Sequence, residues 1–473
     1  MFIECPIYSA AQKFPTKIAY QISDKPWTYE TFNQRIGRLQ ISIRQLHLPR
    51  NCVITLEART RSYASIYALM WAAWREGHTV LPLDPDLPQR TIQQLIANSQ
   101  SVLHFGQHSE HSARHIPLPI LETMATQGLY PLNAPPVMHA NTMATVVATS
   151  GSTGSAKLTG LSVGNLFANA AGANQFTPLN HSHIWLLALP IHHVSGLGIL
   201  WRCALAGATV APQGETETWI DSMRRIAPSH VSLVPTQLQD WVARYVAVPS
   251  LMTVLVGGAE TSLAVLNEAT SLGIPIRLTY GCTEMGGQIT TSDIITASQQ
   301  MVTYGHALPH REVRVASNGQ LQVRGDCLFQ GYWNEQVWAK ETTADGWFNT
   351  GDTGKLTQNG LEITGRQDSM YISGGKNIYP EEIEQIFWNQ LKIYTCVVPV
   401  PDERFGQVGV AILAMNPEEK SPIKEQLLTH LPRYKIPKYQ IFWPRHISHE
   451  SLKIPRFQLA QWIKTEKKLI PLD

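Results

Sequence analysis

Short apolar runs alternate with longer amphipathic stretches along most of the chain, and this alternation predicts strands and helices in turn. VITLE at 53–57 and TVLPL at 79–83 read as strands, separated by a helix-like stretch from Tyr63 to Arg75. The same strand texture returns as ATVVAT at 144–149, IWLLAL at 184–189, HVSLV at 230–234, MTVLV at 252–256 and PIRLT at 275–279. Runs this rich in Val, Ile and Leu suit strands covered on both faces, so an α/β architecture with mostly parallel sheets is expected. Most of the runs end in polar or glycine-containing turns. Ligands of open α/β sheets gather outside the carboxyl ends of strands, which makes those turns the place to look for chemistry.

The texture changes after Gly305. REVRVASNGQLQVRG at 311–325 reads as a hairpin with Asn318-Gly319 as its tight turn, and GLEITGRQDSMYIS at 360–373 is a second β-rich section. A smaller α+β unit is expected beyond it. It opens with a helix at Pro380 carrying acidic residues in its first turn, continues in strands near 393–400 and 408–414, and closes with a helix around 456–467. The expected fold class is therefore α/β, with a large N-terminal domain of mixed sheets flanked by helices (1–367) and a small α+β C-terminal domain (368–473), divided at Asp368.

Composition narrows the function. Lys and Arg number 38 against 36 Asp and Glu, a formal charge of +2, so nothing electrostatic points to nucleic acid or an anionic membrane as partner. The longest strongly apolar stretch, IWLLALPI at 184–191, falls far below the ~18 residues that span a bilayer. The start, MFIECPIYSAAQKFP, has no basic segment leading into an apolar run, so a cytoplasmic protein is expected. Cys5, Cys52, Cys203, Cys282, Cys327 and Cys396 show no CxxC spacing, and read as reduced structural thiols rather than a zinc site or disulfide framework.

The segment richest in chemistry is TSGSTGSAK at 149–157, where a β-rich run ends in a loop of Gly, Ser and Thr that finishes with Lys157. Glycines admit an anion close to the backbone, hydroxyls and amides donate hydrogen bonds, and lysine adds charge, so the loop suits phosphate. It is not the common nucleotide loop: Gly151 and Gly154 bracket two residues instead of four, and Leu158 follows the lysine in place of a hydroxyl. Standing alone, it is equally a surface loop.

It does not stand alone. YGCTEMGG at 280–287, TGD at 350–352 and GRQDSMYISGGKNIYPEEIE at 365–384 follow in order, and WTYETFNQRI at 27–36 precedes them. With these motifs the chain resembles, over essentially its whole length, the adenylate-forming enzymes: acyl- and aryl-CoA ligases, luciferases and peptide-synthetase adenylation domains. The resemblance implies an acid–thiol ligase using ATP, Mg²⁺ and coenzyme A. The acid is first converted to an acyl-adenylate, because a carboxylate is a poor electrophile, and is then transferred to the thiol. It implies that Ser150, Gly151, Ser152, Thr153, Gly154 and Lys157 hold the β- and γ-phosphates. Thr283 then meets the α-phosphate, Glu284 binds Mg²⁺, Asp352 accepts from the ribose hydroxyls with Arg366 reaching the same sugar or phosphate, Gly258, Ala259, Glu260 and Tyr280 enclose adenine, and Gly281 joins them in binding ATP. Lys453 enters for adenylation as the small domain moves about a hinge at Asp368, and Ser373, Gly374 and Gly375 line a pantetheine tunnel. Two departures stand out. Leu452 replaces the family's glycine before the lysine, leaving Arg456 and Lys435 as alternatives, and Ala156 replaces a common proline.

LPIHHVSGLGIL at 189–200, HVSLVPTQL at 230–238 and YGCTEMGGQITT at 280–291 look most like the o-succinylbenzoate-CoA ligases of menaquinone and phylloquinone synthesis. That likeness implies a pocket recognising a benzoate carboxylate that is not activated. His193, Ser195 and Gln288 are the candidates to recognise it, with Leu197, Gly286 and Gly287 shaping the slot and His192 pointing elsewhere. No aspartate in LPIHHVSG is available to pair with an α-ammonium, which disfavours an amino acid substrate. Cys282 has no role in this chemistry despite lying inside a motif. A ligase for another aryl or medium-chain acid, an enzyme acylating a carrier protein, and a non-catalytic adenylate-binding sensor remain the competing readings. The partners expected are small molecules, with no nucleic acid and no integral membrane segment, and a homo-oligomer is left open.

Overall fold

The computed structural model describes residues 1–21, 26–58, 63–106, 114–116, 135–150, 156–214, 216–296, 302–334, 337–367, 369–415, 423–447, 456–466 and 469–472. Two large sheets dominate. In the eight-stranded sheet, strands Met143–Ser150, Thr79–Leu83, Val53–Glu57, Leu103–Phe105 and Arg114–Ile116 run parallel, and Ala156–Ser162 with Gly331–Asn334 extend it antiparallel. In the nine-stranded sheet, Ile276–Cys282, Thr253–Gly257, His230–Leu233, Ile184–Leu187 and Thr209–Pro212 are parallel neighbours, and Gly287–Thr291 turns back on Ile276–Cys282. A four-stranded antiparallel sheet holds Arg311–Val315, Gln320–Gly325, Phe348–Thr357 and Gly360–Arg366.

Helices bind the two large sheets together. Helix Tyr29–Gln45 starts where Thr28 accepts a hydrogen bond from Thr31 N, a cap worth about 1 kcal/mol. Its buried stripe of Phe32, Ile36, Leu39 and Ile43 recurs at helical spacing and faces the core. Tyr63–Arg75 is apolar nearly throughout, which fits a helix buried between layers, and its Trp71 and Trp74 pack with Trp201 at ring separations of 4.9–5.2 Å. Helix Val163–Phe176 opens on a reciprocal cap between Ser162 and Asn165.

The remaining part is a small α+β unit. Tyr394–Asp402 and Gly406–Ala414 form a long antiparallel pair, with helices Pro380–Ile386 and Arg456–Thr465 alongside. Its two apolar clusters, one around Tyr371, Phe387 and Leu413 and the other around Cys396, Ile412 and Leu459, draw only on residues from 371 onward.

Two expectations shift. The hairpin pairs Val315 with Leu321, so Asn318-Gly319 ends a longer loop and does not form a two-residue turn. The reason is conformational: only Gly319 of the pair is left-handed, at φ 82°, whereas a two-residue turn of that kind needs both. The strand expected at 184–189 stops at Leu187, because the chain turns through Pro190 into helix Val194–Ala206.

Candidate active site

The site gathers at the carboxyl end of strand Ile276–Cys282. Past Cys282 the chain makes one 3-10 turn, Thr283–Met285, closed by Gly286 in a left-handed conformation at φ 65°, and returns as Gly287–Thr291. A side chain on Gly281 would run into Gly287 O at 2.2 Å, so the close return requires glycine there. Helix Val163–Phe176 holds this turn, because Asn169 Nδ2 donates to Met285 O (2.9 Å) and Gln288 O (3.2 Å). Buried Arg311 donates to Gln288 O at 2.6 Å and to Asn169 O at 3.1 Å, tying the four-stranded sheet to the same spot.

Three expected nucleotide residues meet directly. Tyr280 O–H donates to Asp352 Oδ2 at 2.6 Å, and Arg366, paired across the hairpin with Asp352, donates from Nη1 to Oδ1 at 3.0 Å. Burial, and next the Asp352 charge, push the Tyr280 phenol well above its ordinary range, so it stays a donor. Replacing Asp352 by alanine would leave that buried hydroxyl without its carboxylate. Destabilisation of about 2 kcal/mol is expected in denaturant unfolding, and Tyr280→Phe is expected to cost about 1 kcal/mol.

Glu284 Oε1 accepts from Tyr332 O–H at 2.6 Å, and Lys157 Nζ sits over the Tyr332 ring, 4.8 Å from its centroid. Lys157 lies on strand Ala156–Ser162 opposite Thr149, so the glycine-rich loop joins two antiparallel strands. Of that loop, Gly151, Ser152, Thr153 and Gly154 lie outside the described residues, and Ser150 is described by its backbone only. Gly258 is left-handed at φ 88°, and Glu260 Oε1 accepts from Gln385 Nε2 of the small unit at 2.6 Å. Burial, and then the charges of Glu284 and Asp352, push the Cys282 thiol well above its ordinary value.

Among the described residues, no group of three or more His, Cys, Asp or Glu side chains could hold a metal unaided. Mg²⁺ does not need such a cage, since one carboxylate with nucleotide phosphate oxygens and water suffices, and Glu284 fits that donor set.

On the acid side, exposed His193 precedes helix Val194–Ala206, half-buried Ser195 lies in its first turn, and Leu197 is fully buried. His192 turns away toward Asp84, with Nε2 to Oδ2 at 3.8 Å, while its ring touches that of His193. Gln288 Nε2 donates to Thr291 Oγ1 at 3.0 Å, and Gln288 Oε1 is buried without a hydrogen-bond partner among the described residues.

The sequence reasoning passed over Arg202. It lies on the same helix, 3% exposed, with its guanidinium over the Trp185 ring at 4.9 Å and its Nε and Nη1 lacking hydrogen-bond partners among the described residues. Burial lowers its pKa to about 10, with Cys203 opposing and nearby Arg311 adding to the shift. The available signal was a lone charged residue in the mostly apolar helix VSGLGILWRCALA.

In the small unit, Ser373 pairs with Lys376 around a two-residue Gly374-Gly375 turn whose residues both have positive φ, 56° and 77°. Asp368 and Lys453 lie outside the described residues. Arg456 is occupied by Glu384 (2.6 and 2.8 Å) and Glu381 (3.3 Å), and Lys435 by Glu382 at 2.6 Å. Among the described residues, no helix is long and apolar enough to cross a membrane.

Residues 7–333 match the AMP-binding enzyme family. The 2-succinylbenzoate–CoA ligase of Escherichia coli K12 is 30% identical over 403 residues, covering 84% of this chain and 85% of the relative. Wild-type E. coli MenE with a bound m-phenylether-linked analogue of OSB-AMS has a TM-score of 0.81 at 25% identity, covering 98% of this chain and 100% of that one. Bacillus subtilis MenE in complex with ATP and magnesium ion, at 23% identity, shares the fold with a TM-score of 0.87 over 97% of this chain and 100% of that one.

Proposed function

This chain belongs to the AMP-binding enzyme family, and we propose that it is an ATP-dependent ligase joining 2-succinylbenzoate to coenzyme A in menaquinone or phylloquinone synthesis. The succinyl carboxylate attacks the α-phosphate of ATP to give acyl-adenylate and pyrophosphate. The coenzyme A thiolate then attacks the acyl carbon and AMP leaves.

Each group has work suited to its chemistry. The 150–154 loop and Lys157 meet the β- and γ-phosphates, and Thr283 donates to the α-phosphate, where charge accumulates as the leaving group departs. Glu284 holds Mg²⁺, which supplies charge neutralisation across the phosphates. Asp352, already oriented by Tyr280 and Arg366, accepts from the ribose hydroxyls, while Gly258, Ala259, Glu260, Tyr280 and Gly281 enclose adenine. Residues 368–473 act as a mobile domain hinged at Asp368, bringing Lys453 in for adenylation and the turn Ser373, Gly374 and Gly375 for passage of pantetheine.

The observation that carries the choice of acid is Arg202. A buried guanidinium with unmade hydrogen bonds is costly unless an anion completes it. It lies on the helix that opens with His193 and Ser195. We assign it to the benzoate carboxylate, with His193, Ser195 and Gln288 as the surrounding polar groups.

The test is formation of AMP and CoA thioester with ATP, Mg²⁺ and CoA, comparing 2-succinylbenzoate with benzoate, 4-oxo-4-phenylbutanoate and medium-chain acids. A preference for 2-succinylbenzoate of at least roughly tenfold in kcat/KM is expected, with turnover lost when EDTA removes the metal. Preference for an acid lacking the second carboxylate would keep the mechanism and reject the substrate.

A further inference from the structure

We propose that Tyr332 is a positioning residue of the ATP site, holding the metal-binding carboxylate Glu284 and the phosphate-binding ammonium Lys157 apart and each in its working orientation. The inference rests on the roles given above to those two residues, and it concerns a side chain that belongs to none of the nucleotide motifs. Tyr332 lies on the short strand Gly331–Asn334, whose register sets it opposite Thr159, two residues from Lys157 on the paired strand. Its hydroxyl donates to Glu284 Oε1 at 2.6 Å while the face of its ring receives Lys157 Nζ. One side chain therefore grips both charges with chemically different parts.

The arrangement answers a specific hazard. A lysine and a glutamate serving the same polyphosphate have opposite charges, and their simplest resting state is an ion pair with each other. Such a pair would have to be broken before either could take metal or phosphate. No Lys157–Glu284 ion pair exists among the described residues; the aromatic ring stands in its place. A ring face attracts an ammonium without consuming an acceptor, so its N–H donors stay available to phosphate. A phenolic donor leaves the carboxylate its full charge and, of its about four lone-pair sites, takes one, leaving the others for a hard cation.

Tyr332 is itself fixed. Phe329, fully buried, meets its ring edge-on at 4.9 Å and leans on Phe348 at 5.1 Å, and Phe329 N donates to Glu284 O at 2.7 Å. The support of the tyrosine and of the glutamate backbone is thus shared.

The experiment is calorimetric titration of ATP into the protein without acid, so that no turnover occurs, across a range of Mg²⁺ concentrations, with AMP as a metal-independent reference. Tyr332→Phe keeps the ring and loses the hydroxyl. It is expected to raise the Mg²⁺ midpoint for ATP binding roughly tenfold, the size of one lost hydrogen bond to a charged group, and to leave AMP affinity unchanged. Tyr332→Leu removes the ring as well, and is expected to weaken ATP binding even without Mg²⁺, by freeing Lys157. A Tyr332→Phe midpoint equal to wild type, or equal losses of AMP and ATP binding in both variants, would overturn the proposal. Glu284→Gln separates it from the reading beneath. If Glu284→Gln moves the midpoint and Tyr332→Phe does not, the positioning role alone fails; if Glu284→Gln does not move it, the metal assignment fails and takes the proposal with it.

Discussion

Lys453→Ala is expected to slow acyl-adenylate formation by on the order of 10² or more, while thioester formation from supplied acyl-adenylate proceeds close to the wild-type rate. The first step brings a carboxylate against a phosphate already surrounded by negative oxygens. A lysine reaching both at once neutralises charge where it is greatest. The second step starts from a neutral acyl carbon and a thiolate and has no such demand. Pyrophosphate exchange measures the first reaction, and CoA-thioester formation from synthetic adenylate measures the second. Equal losses in the two assays would move the role elsewhere. The geometry narrows where it could go: half-buried Arg456 is paired with Glu381 and Glu384 and also donates to Val397 O, and Lys435 is held by Glu382. Removing Arg456 would strand the buried Glu384 carboxylate, so its loss is expected as unfolding of the small unit rather than as selective loss of one half-reaction.

How far the sequence could be read depended on how local the determining contact was. Val53–Glu57, Tyr63–Arg75 and Thr79–Leu83 begin and end where the apolar pattern predicts, because each is specified by an unbroken local run of strand-like or helix-like residues. The nucleotide motifs were legible for a similar reason: the Thr283–Met285 turn between glycines is a local design. The groups that orient them were not. Tyr332 is 48 residues from Glu284, and Tyr280 is 72 from Asp352. Those partnerships arise only when strands of different sheets converge. Gln288 lies beside the motif, yet the sequence gives no hint that its amide nitrogen donates to Thr291 or that its backbone carbonyl accepts from Asn169 and Arg311. Sequence adjacency to a motif does not reveal which way a side chain on a strand faces.

Arg202 offers the sharpest test of substrate identity, because its effect should depend on a group of the substrate that takes no part in the reaction. Arg202→Ala is expected to lower kcat/KM for 2-succinylbenzoate by over a hundredfold, about 3 kcal/mol, the order seen when one partner of a buried charge pair is removed. With 4-oxo-4-phenylbutanoate, which has the reacting carboxylate but not the benzoate one, the same substitution should cost little or give a gain. The wild-type guanidinium is left without its anion by that acid, and removing it relieves a buried unpaired charge. The preference between the two acids is thus expected to collapse in the variant, which loss of folding or of ATP binding would not produce, since either would depress both substrates alike. Arg202→Lys is expected to recover only part of the preference. An ammonium cannot make the bidentate contact of a guanidinium, nor can it stack on Trp185 as a planar guanidinium can, whose carbon here lies 4.9 Å from the ring centroid. Should both acids lose activity equally, Arg202 is a structural cation over Trp185, and recognition of the second carboxylate must be sought at His193 and Ser195 at the open end of the helix.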